Sequence, residues 1–594
     1  MNAYTVSSWK RKAKSLVKRA LNRLRNKVNA NLTVDNKAVE SETYSSAFKD
    51  VNVGKFWEIL DPVIKDCRDR LQAAEAPQIS IITPTFNSSL DWFIETALSV
   101  FRQSSNAWEW CIVDDGSTST HIRDVLAELA RKHPRIKVEF QASKGISGAT
   151  NRAIEVANGT YVCFLDHDDT LSPRAIETSL GQLANGFDFV YSDEDKIDLS
   201  GRYYVEPFFK PDWSPEYFRG VMYVGHFLCV RKALLLSVGG FDSHYDGIQD
   251  YEFVLRLSET SPRVSHIPEV LYHWRKIEGS IAANAQAKPR IEELQQAAVD
   301  AHLKRLGLPS RAESIGNHRL SIVPLEKPHY PLVSVIIPTK DAPQHLERSL
   351  ESLFTISNYP NLEILLVDNE TSDPKALQLM QKYPVKRVFF PNPFNYSRAN
   401  NLGAQYAQGE YLIFLNNDTE IIGKDWIQHL LYYAEQSDIG AVGSLLLFPN
   451  RTVQHAGVVM GFRGTADHVM RGFPSEVDGY AGSLVCAHEV SAVTAACMMV
   501  AQKDFSQVEG FNEHYFHHYQ DVDLCLKLLK LGKRNIFTPG ATLIHHESVT
   551  RKDYYDLVDR YLLLDQWQDY IDAGDPYYNP NFVLERCDYT AKAQ

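Results

Sequence analysis

The sequence predicts an α/β protein with two similar domains in tandem, each built on a mostly parallel central sheet flanked by helices. The first observation is that short β-branched runs, such as residues 79–83 and 161–165, alternate with helical stretches such as 122–132. Strands with Val and Ile on both faces, joined by helices, are typical of a parallel sheet covered on both sides. The second observation is an internal repeat, so the pattern occurs twice.

The repeat consists of six pairs of matching segments in the same order along the chain. Their spacing of roughly 250 to 270 residues is far longer than the about 20 to 50 residues of a solenoid repeat, which indicates a duplicated domain. The pairs are 79–85 with 333–339, 111–115 with 365–369, 161–168 with 411–418, 240–242 with 510–512, 249–252 with 520–523, and 270–273 with 542–545.

The repeat and the local composition divide the chain into five segments. Four prolines between residues 309 and 331 favour a linker between the two copies. The predicted segments are a basic amphipathic helix at 1–34, a helical lead-in at 35–77, the first domain at 78–303, the linker at 304–332, and the second domain with a C-terminal tail at 333–594.

Composition excludes several classes of protein. Hydrophobic residues make up 44% and charged residues 23% of the 594 residues, which is typical of globular domains and not of disordered chains. No apolar run approaches the ~18 residues of a membrane-spanning helix, and a net charge of −12 argues against a nucleic-acid partner. Eight cysteines without a CxxC pair, and no apolar signal segment, indicate reduced thiols in a cytosolic protein.

The N-terminal segment 1–34 has nine Lys or Arg residues and no acidic residue. Its apolar residues fall on a stripe roughly 140° wide at 100° per residue, with most basic residues outside it. This pattern predicts an interfacial helix on an anionic membrane surface. A helix that docks on the acidic body of the protein itself is the alternative. The stripe contains Trp9, Ala13, Leu16, Val17, Ala20, Leu21, Leu24 and Val28.

Polar residues follow three predicted strands of the first domain, at 83–87, 114–117 and 166–169. Ligands of open α/β sheets bind beyond the carboxyl ends of the strands, so we expect these segments to converge on one crevice. The three carboxylates within 166–169 repel one another unless a cation or hydrogen-bond donors neutralise them, and Mg²⁺ prefers one or two carboxylates plus substrate phosphates. A helix N-terminus enriched in acids is the alternative explanation.

These motifs together resemble family 2 glycosyltransferases, which have the GT-A fold. The resemblance covers roughly 79–303 and 333–580 and implies two GT-A (Rossmann-like) domains, the second similar to rhamnosyltransferase-like members. In the first domain it rests on 79–87 (ISIITPTFN), 113–118 (VDDGST), 158–169 (NGTYVCFLDHDD), 239–242 (GGFD) and 272–275 (YHWR). In the second it rests on 414–420 (FLNNDTE), 453–457 (VQHAG), 520–525 (QDVDLC) and 545–548 (HHES).

The resemblance implies that the strand ends hold the nucleotide of a nucleotide-sugar donor. A carboxylate such as Asp115 can accept the imide N–H of uracil or thymine, which favours UDP- or dTDP-sugars, and Asn369 can do so through its amide oxygen. A simple turn is the alternative for 114–116. The implied residues are Pro84, Thr85, Phe86, Asp114, Asp115 and Asp166, and in the second domain Pro338, Thr339, Asp368, Asn369 and Asn416.

The resemblance also implies a divalent cation, Mg²⁺ or Mn²⁺, and one catalytic base in each domain. The implied bases are Asp250 and Asp521, which follow Gln249 and Gln520 where the family has Glu. For the histidines, a structural role is the alternative, and zinc is not expected in the second domain because cysteine partners are lacking. The implied cation ligands are Asp166, Asp168 and His273, and Asp418 and His545; the zinc alternative involves His514, His517, His518, His545 and His546.

The predicted function is transfer of sugars from nucleotide-sugar donors to a growing lipid-linked surface polysaccharide, such as O-antigen or capsule, by single inverting displacements. We expect a cytoplasmic protein at the inner face of the bacterial membrane. One active domain plus a degenerate glycan-binding copy is an alternative, because only Asp418 is retained in the second copy, where Asn416 and Asn417 replace its neighbours. A nucleotidyltransferase is another, although no Gly-rich loop with Lys or Arg follows the first strand of either copy.

Overall fold

The computed structural model describes residues 39–40, 48–71, 76–277, 290–547 and 556–593. The predicted helix at 1–34 lies outside these residues and stays a prediction. The chain divides into two compact units, with the boundary between Leu320 and Ser321. We call residues 36–320 the first unit and residues 321–594 the second unit.

The first unit alternates strands and helices through its first half. Its helices are Val53–Arg70 (α1), Leu90–Phe101 (α2), Thr120–Lys132 (α3), Gly145–Val156 (α4), Ala175–Ala184 (α5), Pro215–Gly220 (α6), Lys232–Ser237 (α7), Gln249–Ser258 (α8) and Arg290–Arg305 (α9). Its strands are Val39–Glu40 (β1), Ile79–Thr85 (β2), Trp108–Asp114 (β3), Ile136–Phe140 (β4), Tyr161–Phe164 (β5), Thr170–Leu171 (β6), Phe189–Ile197 (β7), Tyr203–Phe208 (β8), Leu228–Arg231 (β9) and Val264–Arg275 (β10).

The sheet of the first unit is mixed. Strands β4, β3, β2 and β5 are parallel neighbours in that order, β9 joins β5 to β7 by antiparallel pairing, and β10 returns parallel to β7. The parallel half arises where helices connect the strands, and the antiparallel half follows where the connections are not helical crossovers. The order reverses at β2, which pairs with β3 on one side and β5 on the other, so a crevice opens there.

The predicted lead-in at 35–77 includes a strand as well as a helix. Strand β1 pairs with β8, whereas α1 packs on the unit through an apolar face. The ring of Phe56 stacks on Phe93 of α2 at 6.2 Å, and Phe93 stacks on Trp110 of the sheet at 5.7 Å. The lead-in helix therefore belongs to the first unit's core.

The predicted linker at 304–332 contains the boundary between the units. It also holds a β-hairpin of Ser310–Gly316 (β11) and Arg319–Pro324 (β12). Gly316 has a φ of +87° and precedes two residues that also have positive φ, Asn317 and His318. Of the four prolines that favoured a linker, one precedes this strand pair, one ends it and two follow it.

The second unit repeats the α/β order. Its helices are Pro343–Ile356 (α10), Pro374–Lys382 (α11), Tyr396–Tyr406 (α12), Trp426–Ala434 (α13), Gln502–Gln507 (α14), Gln520–Lys530 (α15) and Asp556–Ala573 (α16). Its strands are Val333–Thr339 (β13), Leu362–Asp368 (β14), Lys386–Phe389 (β15), Tyr411–Leu415 (β16), Thr419–Ile421 (β17), Ile439–Leu447 (β18), Val453–His455 (β19), Val458–Met460 (β20), Ala466–His468 (β21), His488–Val490 (β22), Cys497–Ala501 (β23) and Arg534–His545 (β24).

The sheet order of the second unit matches that of the first. Strands run in the order β15, β14, β13, β16, β23, β18 and β24, with the first four parallel. A separate hairpin of β20 and β21 has no equivalent strand pair among the described residues of the first unit. The C-terminal tail packs beside this hairpin, where Phe462 contacts Tyr578 edge-on at 4.9 Å.

The same set of side-chain hydrogen bonds occurs in the parallel part of both sheets, near the start of strands β2 and β13. Ser80 donates its hydroxyl to Glu109 at 2.6 Å and accepts the N–H of Gly159 at 2.8 Å. Ser334 makes the equivalent bonds to Glu363 and Gly409. A Cβ on either glycine would lie within 2.7 Å of the backbone nitrogen of its serine, so both sites require glycine.

The cysteines and the helices agree with the compositional analysis. All eight cysteines are free, and seven of them are buried. Among the helices of the described residues, none combines the length and the apolar character that crossing a bilayer requires.

Candidate functional site

The carboxyl ends of the parallel strands meet in both units, as the sequence predicts. In the first unit, Thr85 of β2 is in register with Asp114 of β3, and the N–H of Asp115 donates to the carbonyl of Thr85 at 2.8 Å. In the second unit, Thr339 and Asp368 are in register, and Asn369 makes the same backbone bond at 2.9 Å.

The remaining strand-end residues differ in exposure. Pro84 and Pro338 lie next to the two threonines on the same strands, whereas the ring of Phe86 is 53% exposed. An exposed aromatic ring at a strand end offers a stacking face to a planar base.

Asp114 and Asp115 have different partners. The Asp115 carboxylate accepts four hydrogen bonds of 2.7 to 3.0 Å, all from the segment 141–145. These four hydrogen bonds occupy the lone pairs of both carboxylate oxygens, so Asp115 holds the loop 141–145 in place. Within the described residues, Oδ1 of Asp114 is buried without a hydrogen-bond partner, as is Oδ1 of Asn369. The contact of Asp115 with a base therefore stays a prediction.

The loop of Asp166 to Asp169 is held by the last long strand of the sheet. Tyr272 donates its hydroxyl to Asp169 at 2.6 Å and accepts the N–H of Asp166 at 3.2 Å. Arg275 donates its N–H to Asp169 at 2.7 Å and its Nε–H to the carbonyl of Asp168 at 2.6 Å. These bonds use both carboxylate oxygens of Asp169, so this residue fixes the loop while Asp166 and Asp168 stay half-buried beside it.

Electrostatics in this loop favour a bound cation. Burial raises the pKa of Asp166, and the neighbouring carboxylates of Asp168 and Asp250 raise it further, whereas His226 lowers it. Burial likewise raises the pKa of Asp169 well above its ordinary value, and Asp168 adds to this. A divalent cation relieves such repulsion between carboxylates.

His226 also lies beside the acidic loop. One potential ligand atom from each of Asp166, Asp169 and His226 lies within 4.8 Å of the others. Both oxygens of Asp169 already accept hydrogen bonds, so Asp166 and Asp168 supply the carboxylates that are left for the implied cation, and carboxylate oxygens are ligands that Mg²⁺ and Mn²⁺ prefer. His226 belongs to no sequence motif and lies just before strand β9.

His273, the predicted cation ligand, makes different contacts. Its Nδ1 lies 2.6 Å from Oδ1 of Asp195, and its ring stacks on Tyr204 at 3.9 Å. His273 is in register with Thr170 on the neighbouring strand β6, one position beyond the acidic loop. The structure thus brings Asp166 and Asp168 together but gives His273 another partner.

Asp250 begins helix α8 close to this cluster. Burial raises the pKa of Asp250, Glu194 raises it further, and His226 lowers it. Its Oδ1 accepts the N–H of Tyr251 at 2.8 Å. Glu194 also receives the buried Lys210 ammonium at 3.0 Å. Neither Glu194 nor Lys210 was identified from the sequence.

A cavity of about 850 Å³ occupies the corresponding place in the second unit. Nε2 of His545 lies 3.0 Å from Oδ1 of Asp418 and 3.3 Å from Nδ2 of Asn416, and its Nδ1 lies 2.9 Å from the side-chain oxygen of Gln454. The residues predicted from the sequence that line this cavity are Pro338, Asn416, Asp418, Asp521 and His545.

Asp521 begins helix α15 at the wall of the cavity. Its Oδ2 accepts the N–H of Ala495 at 3.0 Å, and its Oδ1 accepts the N–H of Val522 at 3.0 Å. The preceding loop is fastened by the buried Asp559 of α16, whose carboxylate accepts the backbone N–H groups of residues 516, 517 and 518 at 2.8 to 2.9 Å.

The five histidines of the zinc alternative do not form a ligand cluster within the described residues. His517 and His518 line the cavity, His514 is exposed, and His546 contacts Glu420 at 2.9 Å.

Comparison with known proteins agrees with this arrangement. The family model described as glycosyl transferase family 2 matches residues 80–236 and 334–506. The uncharacterized protein y4gI of Sinorhizobium fredii is 36% identical over 90% of this chain and 61% of its own length. The O-antigen biosynthesis protein RfbC of Myxococcus xanthus is 38% identical over 86% of this chain and 41% of its own length. The chondroitin synthase of Escherichia coli is 30% identical over 39% of this chain and 34% of its own length.

The chain thus spans about three fifths or less of these relatives. One matched region falls within each unit, and each includes the strand ends described above. The chain therefore belongs to glycosyl transferase family 2, and it carries that family's domain twice.

Proposed function

We propose that each unit transfers one kind of sugar from its own nucleotide-sugar donor to a growing lipid-linked surface polysaccharide. The observation that carries this proposal is the recurrence of two carboxylates in equivalent places. Asp168 and Asp418 stand at matching positions of the repeat, as do Asp250 and Asp521, and Asp418 and Asp521 line one cavity in the second unit. The similarity to an O-antigen biosynthesis protein supports the polysaccharide role.

The chemistry follows from charge and proton transfer. Asp250 or Asp521 takes the proton of the acceptor hydroxyl as its oxygen attacks the anomeric carbon. Asp166 and Asp168, with His226 beside them, would hold a divalent cation in the first unit. When bound, this cation offsets the charge that grows on the departing nucleoside diphosphate. A single displacement by the acceptor inverts the anomeric configuration.

The second unit offers a different donor set, with Asp418, Asn416 and His545. Asn oxygen is a neutral ligand, so we propose weaker cation binding there than in the first unit. This difference between the two cation sites supports the use of a different nucleotide sugar by each unit. A second unit that binds glycan without turnover is the competing proposal, favoured by Asn416 in the position where the first unit has Asp166.

The test is a panel of UDP-, dTDP- and GDP-sugars offered to the full chain with Mn²⁺ or Mg²⁺. Release of a nucleoside diphosphate together with a lengthened acceptor supports the proposal. Release of pyrophosphate would instead identify a nucleotidyltransferase. If two different nucleotide sugars are consumed, and one is always consumed before the other, the result supports two separate transfer steps.

A further inference from the structure

Two histidines are in contact at the rim of the second unit's cavity. His455 ends strand β19 and is 0% exposed, whereas His468 ends strand β21 and lines the cavity. Their Nδ1 atoms are 2.7 Å apart, and the rings are nearly perpendicular, at 87°. A contact this short between two nitrogens requires one hydrogen between them.

The hydrogen between the two rings belongs to His455. Burial lowers the pKa of His455 well below its ordinary value and also lowers the pKa of His468, so both rings are neutral at pH 7. The backbone N–H of Thr494 points at Nε2 of His455 at 3.4 Å, and this nitrogen is therefore the acceptor. A neutral ring carries one N–H, so His455 carries its hydrogen on Nδ1 and donates it to His468.

The same rule fixes the second ring. Because Nδ1 of His468 accepts a hydrogen bond, its hydrogen is on Nε2. That nitrogen lies on the ring edge away from His455. In this tautomer Nε2 is a hydrogen-bond donor and has no free lone pair, so it does not suit a cation. It suits an oxygen that accepts a hydrogen bond.

We propose that His468 donates its Nε2–H to a sugar oxygen in the second unit's cavity, with His455 as the positioning residue that fixes its tautomer. The inference rests on the proposed transfer by the second unit and adds a specificity-determining contact to it. The oxygen belongs either to the donor sugar or to the acceptor sugar, since both enter the cavity that Asp521 lines.

The described residues of the first unit contain no equivalent pair at this place. Its sequence between β7 and β9 contains no histidine before His226. The β20–β21 hairpin that carries His468 likewise has no matching strand pair in the described part of that unit. The contact therefore distinguishes the substrates of the two units and is not shared chemistry.

The kinetic test uses the full chain with Asp250→Asn, which leaves only the second unit's step. His468→Leu should raise the KM of one substrate about three- to tenfold, the value of one neutral hydrogen bond. His468→Gln, whose amide can donate, should recover part of this loss, and His455→Phe should reproduce most of it. The exposed His514→Leu is the matched control. The substrate whose KM changes identifies which sugar supplies the oxygen.

Binding of UDP and dTDP alone should be unchanged in all these variants, because neither carries the sugar. Equal losses with Leu and Gln at position 468, or no change with either, would overturn the inference. A loss of affinity for UDP or dTDP in the His468 variants would also overturn the inference, because His468 would then belong to the nucleotide site.

A second measurement does not depend on turnover. Two-bond ¹H–¹⁵N spectra of the full chain labelled with ¹⁵N-histidine report the tautomer of each ring, with the two signals assigned by the variants. We expect Nδ1–H for His455 and Nε2–H for His468, with the Nε2 signal shifting when a nucleotide sugar is added. If the Asp250→Asn protein transfers no sugar, the proposed function fails. A tautomer reversed at His468, or no shift with any nucleotide sugar, overturns the inference itself.

Discussion

Nε2 of His545 lies 3.0 Å from Oδ1 of Asp418 in the second unit, whereas the sequence-matched His273 in the first unit lies 2.6 Å from Asp195. The first unit instead holds its acidic loop through Tyr272 and Arg275, which occupy Asp169. In both units the loop that carries the sequence-matched aspartate therefore packs against the last long strand, β10 or β24. The side-chain contacts that hold it there differ between the two units. This difference has consequences for the cation.

The first prediction concerns the cation of the first unit. Asp168→Ala should abolish transfer by this unit while leaving it folded, and EDTA should do the same to the unmodified protein. His226→Gln should raise the Mn²⁺ concentration for half-maximal activity about tenfold or more, because it changes the ligand environment. His273→Gln is the matched control and should leave this concentration unchanged. Full activity of the first unit in EDTA would exclude the cation.

The second prediction concerns the two bases. Asp250→Asn and Asp521→Asn keep the size of the side chain and remove its basic group, so each should slow only its own unit's step by about 10² to 10⁴. Mass spectrometry of the products should then show two different truncated glycans. The exposed Asp124→Asn serves as a control and should give the complete product. If Asp521→Asn also gives the complete product at the normal rate, the second unit is not a transferase.

The third prediction is a pH profile for the first unit. Burial and Glu194 raise the pKa of Asp250, and a base is active only when it is deprotonated. Activity should therefore be lost, as pH falls, at a pH above the ~3.9 of an ordinary aspartate. The measurement is kcat/KM against pH in the Asp521→Asn background, at saturating Mn²⁺. An acid limb at or below the ordinary value would contradict the role of burial at this residue.

The fourth prediction concerns stability. Burial lowers the pKa of His133 to about 4, so the unfolded chain binds a proton that the folded chain does not. The stability from this group is complete above pH ~6.5 and declines by about 1.4 kcal/mol per pH unit as pH falls towards 4. His133→Phe should remove that decline and keep the stacking on Trp108, at 5.6 Å.

Urea unfolding followed by tryptophan fluorescence at pH 7 and pH 5 measures this difference. The exposed His121→Phe, on the preceding helix, should keep the full decline. Equal declines in the His133→Phe and His121→Phe proteins would mean that other groups cause the acid sensitivity.

The parts of the site that are local in sequence could be predicted. Hydrophobic strands followed by polar residues identified Asp114 and Asp166, because a parallel sheet brings all of its strand ends to one edge. The family resemblance implied Asp418, Asp250 and Asp521, and the last two lie in the first turn of a helix in the structure.

The parts that depend on long-range packing could not be predicted. His226 meets Asp166 from a loop 60 residues away along the chain, and the four donors to Asp115 come from a loop whose path follows from packing. The contact between His455 and His468 depends on a hairpin that has no equivalent among the residues described in the first unit. Sequence matching between the copies also does not predict the partner of His273, which contacts Asp195, whereas the matched His545 contacts Asp418.

The fifth prediction concerns the segment 1–34, whose nine basic residues and apolar stripe predict binding to anionic membranes. Deleting it should release the protein from phosphatidylglycerol vesicles without reducing transfer to a soluble acceptor analogue. Replacing Leu16, Val17 and Leu21 together by Ser keeps the charge and removes the apolar anchor, so binding should become weaker and more sensitive to salt. Sedimentation with vesicles at increasing NaCl measures both effects, with phosphatidylcholine vesicles as the uncharged control.

If the segment docks on the protein's own acidic body, its deletion should lower the unfolding midpoint and leave vesicle binding unchanged. Binding that persists after deletion and ignores salt would mean that another surface contacts the membrane.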